Sequence, residues 1–152
     1  MTLPAYIQPT VEDWLTQFHF STHTKVRVCE TDLFGHVNNT SYSPYFEQGR
    51  ADYLEHFGFY DCGLMFVVGD IYCHFHREAY VREELIIKVR TSKFGTKSLT
   101  LESAILRKST GELIASNWST LILMDSITRK TIALSDFVKE SIRELEKDES
   151  LV

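Results

Sequence analysis

The segment between Met65 and Asp125 constrains the fold most, because it predicts long strands in succession with no helix between them. The breaks within it are short turns, at Lys93–Lys97 and at Ser109–Gly111. Parallel strands need a crossover helix, so consecutive strands without one must form an antiparallel sheet. The predicted strands are Met65–Arg77, Glu84–Ser92, Ser98–Arg107 and Glu112–Asp125.

One long helix is predicted before this segment, over Asn39–Phe57. Gly49 disfavours a helix relative to alanine, so its presence predicts that another backbone packs closely there. Pro44 must lie in the first turn, with Ser43 as the expected cap and Gly58 as the end. The sequence therefore predicts an α+β fold in which a curved antiparallel sheet of about five to six strands wraps around this helix. The apolar stripe of the helix comprises Tyr42, Tyr45, Phe46, Gly49, Tyr53 and Phe57.

Shorter elements flank these. A short amphipathic helix is expected over Thr10–Phe18, a strand over Thr24–Cys29 and a closing helix over Ser135–Lys147, the two helices being capped by Thr10 and Ser135. The 152 residues suit one domain with its own core. We therefore expect a single domain over residues 1–152, with residues 1–20 as an N-terminal extension and residues 135–147 as the final helix.

Composition limits the partners and the compartment. A formal net charge of −5 disfavours nucleic acid and anionic membranes as partners. No apolar run approaches the ~20 residues of a membrane span, and Met1–Thr10 has no export-signal pattern. The three cysteines, Cys29, Cys62 and Cys73, are odd in number and widely spaced, which is typical of reduced thiols. We expect a cytoplasmic protein.

A motif at the start of the long helix carries most of the functional information. It holds one carboxylate, Asp32, beside the unpaired backbone amides of a helix start. A carboxylate near such an anion-stabilising terminus is suited to attack on a carbonyl group. The alternative is that Asp32 only organises a turn and that the two asparagines cap the helix. The motif reads Thr31-Asp32-x-x-Gly35-His36-Val37-Asn38-Asn39.

With Tyr42, Tyr45, Glu47 and Arg50 on the helix, the motif resembles the signature of hotdog-fold thioesterases, in particular the 4-hydroxybenzoyl-CoA thioesterase-like acyl-CoA thioesterases. The resemblance extends over roughly residues 22–125. It implies a hotdog fold and an acyl-CoA substrate. It also implies a homodimer whose sheets join edge to edge, with active sites at the interface, or a homotetramer built from two such dimers.

The resemblance also assigns roles to residues. Asp32 is the implied catalytic carboxylate, either as general base on water or as nucleophile forming a mixed anhydride. The backbone amide of Asn39 is the expected oxyanion donor. No cofactor is implied, because coenzyme A is part of the substrate. The expected substrate contacts within the motif, the helix and the hairpin are Gly35, Val37, Asn38, Tyr42, Arg50 and Ser98.

Two further side chains are candidates for the chemistry. Histidine is a side chain that can act as a base near neutral pH, so His36 is a possible base, although a histidine beside a glycine turn often only holds the loop. Glu47 is the fallback carboxylate, since a second branch of hotdog thioesterases uses a helix glutamate. We favour a supporting role for Glu47, and its plain alternative is an ion pair with Arg50 on the same helix.

Basic and histidine residues on the strands are candidates for other ligands. Lys93 and Lys97 are the expected contacts of the coenzyme A phosphates, although strand lysines are often only the solvated face. The pair His74-x-His76 lacks a third ligand at supportive spacing, so we expect no metal and place both side chains in solvent or at an interface.

Two other functions remain open on the sequence. The same fold could cleave acyl groups from acyl carrier protein, or could bind acyl-CoA without catalysis as a sensor, because fold alone does not fix function. The retained Asp32 and its complete turn favour the enzyme. The identity of the acyl group stays undetermined.

Overall fold

The computed structural model describes residues 3–152 and contains one five-stranded antiparallel sheet with a helix packed across it. The strands lie in the order β1-β3-β4-β5-β2. This confirms the predicted α+β hotdog architecture, with five strands. The elements in chain order are α1 Val11–Thr16, β1 Phe20–Lys25, 3₁₀ turns at Val28–Glu30 and Asn39–Ser41, α2 Tyr42–His56, β2 Leu64–Phe75, β3 Glu84–Phe94, β4 Ser98–Arg107, β5 Leu113–Asp125 and α3 Asp136–Glu146.

The central helix has the predicted extent, because the 3₁₀ turn at Asn39–Ser41 leads directly into α2. Its cap differs from the prediction: the Asn38 side chain, not Ser43, accepts a hydrogen bond from the Thr40 amide at 3.1 Å. Gly49 lies against β3 as expected. A Cβ atom there would be 2.6 Å from Cγ2 of Ile87, so only glycine permits this close approach of helix and sheet.

The first strand was wrongly placed. The sequence favoured Thr24–Cys29, but β1 ends at Lys25 and the chain then turns through Val28–Glu30. The turn forms because the Glu30 carboxylate accepts hydrogen bonds from the backbone amide of Arg27 at 2.7 Å and from its Nε at 2.8 Å. Val28, expected in a strand, is 72% exposed.

The N-terminal segment covers part of the outer face of the sheet, which is the face away from α2. Thr10 caps α1 as predicted. The buried Trp14 donates from Nε1 to the Glu102 carboxylate on β4 at 2.7 Å, and Phe18 packs edge-on against Trp14. This extension therefore buries apolar surface at the back of the sheet.

The helix α3 closes the fold beside α2. Ser135 caps it as expected, and Val138 and Ile142 are buried against the core. Its last residue, Glu146, reaches Tyr53 of α2, whose hydroxyl donates to the carboxylate at 2.5 Å. The C-terminal helix is thus tied to the central helix by a buried hydrogen bond.

The strand β2 forms one edge of the sheet and is unusually exposed. A register shift between Val68 and Asp70 marks a bulge at Gly69. The large apolar side chains that β2 leaves exposed are Val67, Val68, Ile71, Tyr72 and Phe75.

In residues 3–152 no helix is both long and apolar enough to cross a lipid bilayer.

Candidate active site

The motif folds as a tight loop that fixes the Asp32 backbone. Thr31 and Val37 form an isolated antiparallel bridge, and the Asp32 amide donates to the His36 carbonyl at 2.9 Å. The Gly35 amide closes the turn on the Asp32 carbonyl at 3.2 Å, with Gly35 at φ +84°. Because a side chain is strained at this φ, glycine is the residue suited to the position.

The Asp32 carboxylate is held on both oxygens. Oδ1 accepts a hydrogen bond from the Phe34 amide at 2.8 Å, and Oδ2 lies 3.1 Å from His36 Nδ1. The Asp32 side chain is 25% exposed. The carboxylate is therefore oriented by the loop and still accessible to a ligand.

Asp32 opens onto a cavity of about 400 Å³ between the loop, the start of the central helix and the end of β2. The cavity brings together half of the side chains that the sequence proposed for the site. The lining from the motif and helix is Asp32, His36, Val37, Asn38, Asn39 and Tyr42, and the lining from the end of β2 and beyond is Phe75, His76, Arg77 and Glu78.

The start of the central helix faces this cavity with a free amide. Asn38 uses its side-chain oxygen for the amide and hydroxyl of Thr40, at 3.1 and 2.9 Å. Within residues 3–152 the amide of Asn39 donates to no acceptor. A free amide at a helix start attracts negative charge, so Asn39 can stabilise an oxyanion.

Glu30, which the sequence reasoning missed, joins the loop to the helix. Its carboxylate accepts from the Tyr45 hydroxyl at 2.6 Å, and its carbonyl accepts from the Asn38 amide at 2.9 Å and the Ser41 hydroxyl at 3.0 Å. Burial alone would raise the pKa of Glu30, but the hydrogen bonds from Arg27 and Tyr45 hold it below its ordinary value. Glu30 thus fixes the distance between Asp32 and the helix start.

His36 lies between two carboxylates. Its Nδ1 faces Asp32, and its Nε2 is 4.0 Å from Oε1 of Glu78. The Tyr80 hydroxyl donates to the other oxygen of Glu78 at 2.6 Å, and the Phe34 ring stacks on the imidazole. Nδ1 is thus placed to donate to Asp32, an arrangement that orients the carboxylate.

The residues from the end of β2 were also missed, because no local pattern ties them to the motif. His76, predicted to face solvent or an interface, lines the cavity and pairs with the Ser116 hydroxyl at 2.9 Å. Burial, with the charges of His74 and Arg77, lowers the pKa of His76. Burial likewise raises the pKa of Tyr42 to about 12, so its phenol is neutral at physiological pH.

The other predicted site residues lie outside the cavity. Gly35 shapes the turn below it, and Glu47 is exposed on α2. Arg50 is buried, and it is in none of the ion pairs among residues 3–152, so the alternative reading of an ion pair between Glu47 and Arg50 is not borne out. Lys93, Lys97 and Ser98 lie at the β3–β4 turn, at the other end of the sheet.

No cluster of three or more histidine, cysteine or acidic side chains suited to a metal ion occurs among residues 3–152. The absence of a metal stays a prediction. The thiols of Cys29, Cys62 and Cys73 are all unpaired, and burial raises the pKa of Cys73 to about 11, so that thiol is not a ready nucleophile.

Known proteins are similar to this chain in sequence and in fold. The protein YsmA of Bacillus subtilis, described as uncharacterized, is 33% identical over 144 residues, which cover 93% of this chain and 97% of YsmA. The long-chain acyl-CoA thioesterase FadM of Escherichia coli is 28% identical over 130 residues, covering 83% of this chain and 98% of FadM. A thioesterase from Thermus thermophilus, solved as a complex with coenzyme A and Zn, superposes with a TM-score of 0.77 at 27% identity, over 87% of this chain and 98% of that one.

FadM and the Thermus thermophilus neighbour are both named thioesterases, consistent with the thioester hydrolase class that the sequence predicted. The family model of the thioesterase-like superfamily matches residues 26–142, so the chain belongs to this superfamily.

Proposed function

We propose that this chain hydrolyses acyl-CoA thioesters to the free acid and coenzyme A, with Asp32 as the catalytic carboxylate. The observation that carries the proposal is that the oriented Asp32 carboxylate and the free Asn39 amide line one cavity. The names of two relatives support it, since FadM is a long-chain acyl-CoA thioesterase and the Thermus thermophilus thioesterase was solved with coenzyme A.

Two routes use this geometry. As general base, Asp32 takes a proton from water while that water attacks the thioester carbon; the C–S bond then breaks, and the thiolate of coenzyme A leaves and takes up the proton. As nucleophile, an Asp32 oxygen attacks that carbon, expels the thiolate of coenzyme A and leaves a mixed anhydride for water to cleave. In both routes the carbonyl oxygen becomes negative and accepts a hydrogen bond from the Asn39 amide. His36 is assigned the role of orienting Asp32.

We further propose that the active form is a dimer joined through β2. Its exposed apolar side chains and unpaired edge suit pairing with a second copy. The carbonyl of Lys97 accepts from the Leu123 amide, and Leu123 pairs with Phe66 near the start of β2. A two-fold antiparallel pairing places that end of the second copy beside this chain's cavity. The hairpin carrying Lys93 and Lys97 then approaches the cavity from the second copy.

The test is a turnover screen over short, medium, long and aromatic acyl-CoA thioesters, with Asp32→Asn and Glu47→Gln. We expect Asp32→Asn to lose at least ~100-fold in kcat while still binding substrate, because it removes the base or nucleophile and keeps the shape. Glu47→Gln is the matched control, because it also neutralises one carboxylate near the helix start. Its kcat should fall less than that of Asp32→Asn.

Full activity in Asp32→Asn would refute the assignment of the carboxylate. Binding of acyl-CoA without turnover by the unmodified chain would instead identify a sensor, and turnover only of acyl carrier protein thioesters would change the carrier. Hydrolysis in ¹⁸O-labelled water, followed by mass spectrometry of the Asp32 peptide, tests the route, since label in Asp32 requires the anhydride.

A further inference from the structure

Four buried polar atoms lack a hydrogen-bond partner among residues 3–152, and all belong to side chains at least nine-tenths buried. A buried polar group without a partner is destabilising, so native structures rarely keep several together unless water or a ligand satisfies them. The atoms are Arg50 Nη1, Ser103 Oγ, Asn117 Oδ1 and Ser119 Oγ.

Three of these side chains form a polar strip on the inner face of the sheet. Ser103 of β4 pairs with Asn117 of β5, and Ser119 follows two residues later on the same face. The intervening Trp118 pairs with Glu102, which contacts α1 on the outer face. The strip therefore faces α2, in an otherwise apolar core.

The fourth atom belongs to a helix residue directed toward β2. Phe57 lies two turns after Arg50 and so shares its side of the helix. Phe57 stacks on Phe59, which contacts Phe66 of β2. Gly49, the residue before Arg50, lies against Ile87 of β3, so Arg50 is turned away from β3 along the helix. Burial lowers the pKa of Arg50, and no carboxylate pairs with it within 4.0 Å among residues 3–152.

The strip lies beside the cavity that holds Asp32 without lining it. Phe75 of β2 lines the cavity, and Cys73 and Ile71 follow on the same face of that strand. Cys73 pairs with Asn117 and Ile71 with Ser119. Successive residues on one face are about 7 Å apart, so the strip begins one step beyond the cavity wall. Ile71 is 45% exposed, so the residues of a single chain leave this face of β2 partly uncovered.

Resting on the proposed function, we infer that the acyl group carries a hydrogen-bonding oxygen beyond the thioester, which Asn117, Ser119 and Arg50 receive. A plain hydrocarbon chain would leave these atoms unpaired. Asn117 Oδ1 is an acceptor, so a hydroxyl on the acyl group can donate to it and accept from the Ser119 hydroxyl. A carboxylate accepts from Ser119 and from the Arg50 guanidinium, whose geometry matches that group, and leaves Asn117 Oδ1 without a donor. The part of the acyl subsite farthest from Asp32 is therefore polar, and the substrate class is an oxygenated acyl-CoA.

The experiment compares acyl-CoA thioesters of equal chain length that are plain, 3-hydroxylated or carboxylated at the far end. We expect kcat/KM to favour at least one oxygenated substrate over the plain one by at least ~10-fold, because sites built to hydrogen-bond an oxygen reject analogues that lack it. Ser119→Ala should shrink this ratio several-fold for either oxygenated substrate, and Asn117→Leu should shrink it for the 3-hydroxylated one, which alone can donate to Oδ1. Arg50→Met should act mainly on the carboxylated substrate.

Thr120→Val is the control, since Thr120 follows Ser119 on β5 and so faces the opposite side of the sheet. Its acyl preference should equal that of the unmodified chain. The same substrate set is titrated into Asp32→Asn by calorimetry, so the preference is measured as binding even where nothing is turned over. If a variant does not fold, the ratio of oxygenated to plain substrate in the unmodified chain still tests the inference.

A ratio of one or less for every oxygenated substrate, in turnover and in binding, would overturn the inference and leave water as the partner of these atoms. Hydrolysis without preference would refute the inference alone. Preferential binding without hydrolysis would refute the proposed function alone.

Discussion

At the residue scale, the position of the Asp32 carboxylate depends on a residue that makes no contact with the cavity. Glu30 holds the helix start through Tyr45 and through its own carbonyl, as described above. Removing the Tyr45 hydroxyl leaves a nearly buried carboxylate short of one hydrogen bond. We expect Tyr45→Phe to lower the free energy of unfolding by about 2 kcal/mol in urea titrations at pH 7.

The matched control is Tyr80→Phe, whose hydroxyl also donates to a carboxylate but at an exposed site, where little stability is at stake. The loss in Tyr45→Phe should also depend on pH. The pKa of Glu30 is lowered in the fold, so its ionised form adds stability above its ordinary pKa of 4.5, and that stability disappears as pH falls through the folded value. An equal loss at pH 7 and at pH 3 would contradict this assignment.

At the scale of the elements, α3 is joined to the core by a carboxyl group that is poorly placed to ionise. Glu146 accepts from the Tyr53 hydroxyl and from the Thr91 amide at 2.8 Å. Burial raises its pKa from 4.5 to about 7 in spite of these donors. The folded chain therefore holds this proton more tightly than the unfolded chain.

We expect the free energy of unfolding to fall as pH rises from about 4.5 to 7, with a contribution on the order of 2 kcal/mol from Glu146. Glu146→Gln keeps an acceptor oxygen without the charge and should remove this slope. Glu144→Gln, on the exposed side of the same helix, should leave it unchanged. Urea titrations across this pH range measure both, and an unaltered slope in Glu146→Gln would exclude the buried carboxyl as its source.

The elements differ in how far the sequence predicts them. Local signals define the central helix and β4, since Pro44, Gly49 and the turn at Gly95 each act within a few residues. The first strand was misplaced because the turn after it depends on side-chain bonds of Glu30, which hydrophobic alternation does not reveal. Likewise the motif predicts the loop side of the cavity, but its β2 side forms only by tertiary contact.

At the scale of the whole molecule, the two edges of the sheet have different character. The β1 edge alternates regularly and carries polar residues, whereas β2 exposes apolar side chains on both faces. Isolated chains rarely keep such a strand uncovered. We expect Ile71→Lys to convert the proposed dimer into a monomer in light scattering, because it places a charge in the middle of the interface.

His23→Lys, which adds the same group to the opposite edge, is the control and should keep the dimer. The monomer should also lose activity if the second copy completes the cavity. A dimer that persists in Ile71→Lys would show that the interface does not include β2. An unmodified chain that is monomeric would show that the dimer does not form.

The contact between Gly49 and β3 has a consequence for the natural variation that this chain tolerates. The helix moves as a rigid unit, and Gly49 lies ten residues after Asn39. A single added methyl group would clash with Ile87 and push the helix away from the sheet, which would displace the helix start that carries the proposed oxyanion donor. Position 49 therefore has almost no room for any residue other than glycine, although it does not line the cavity.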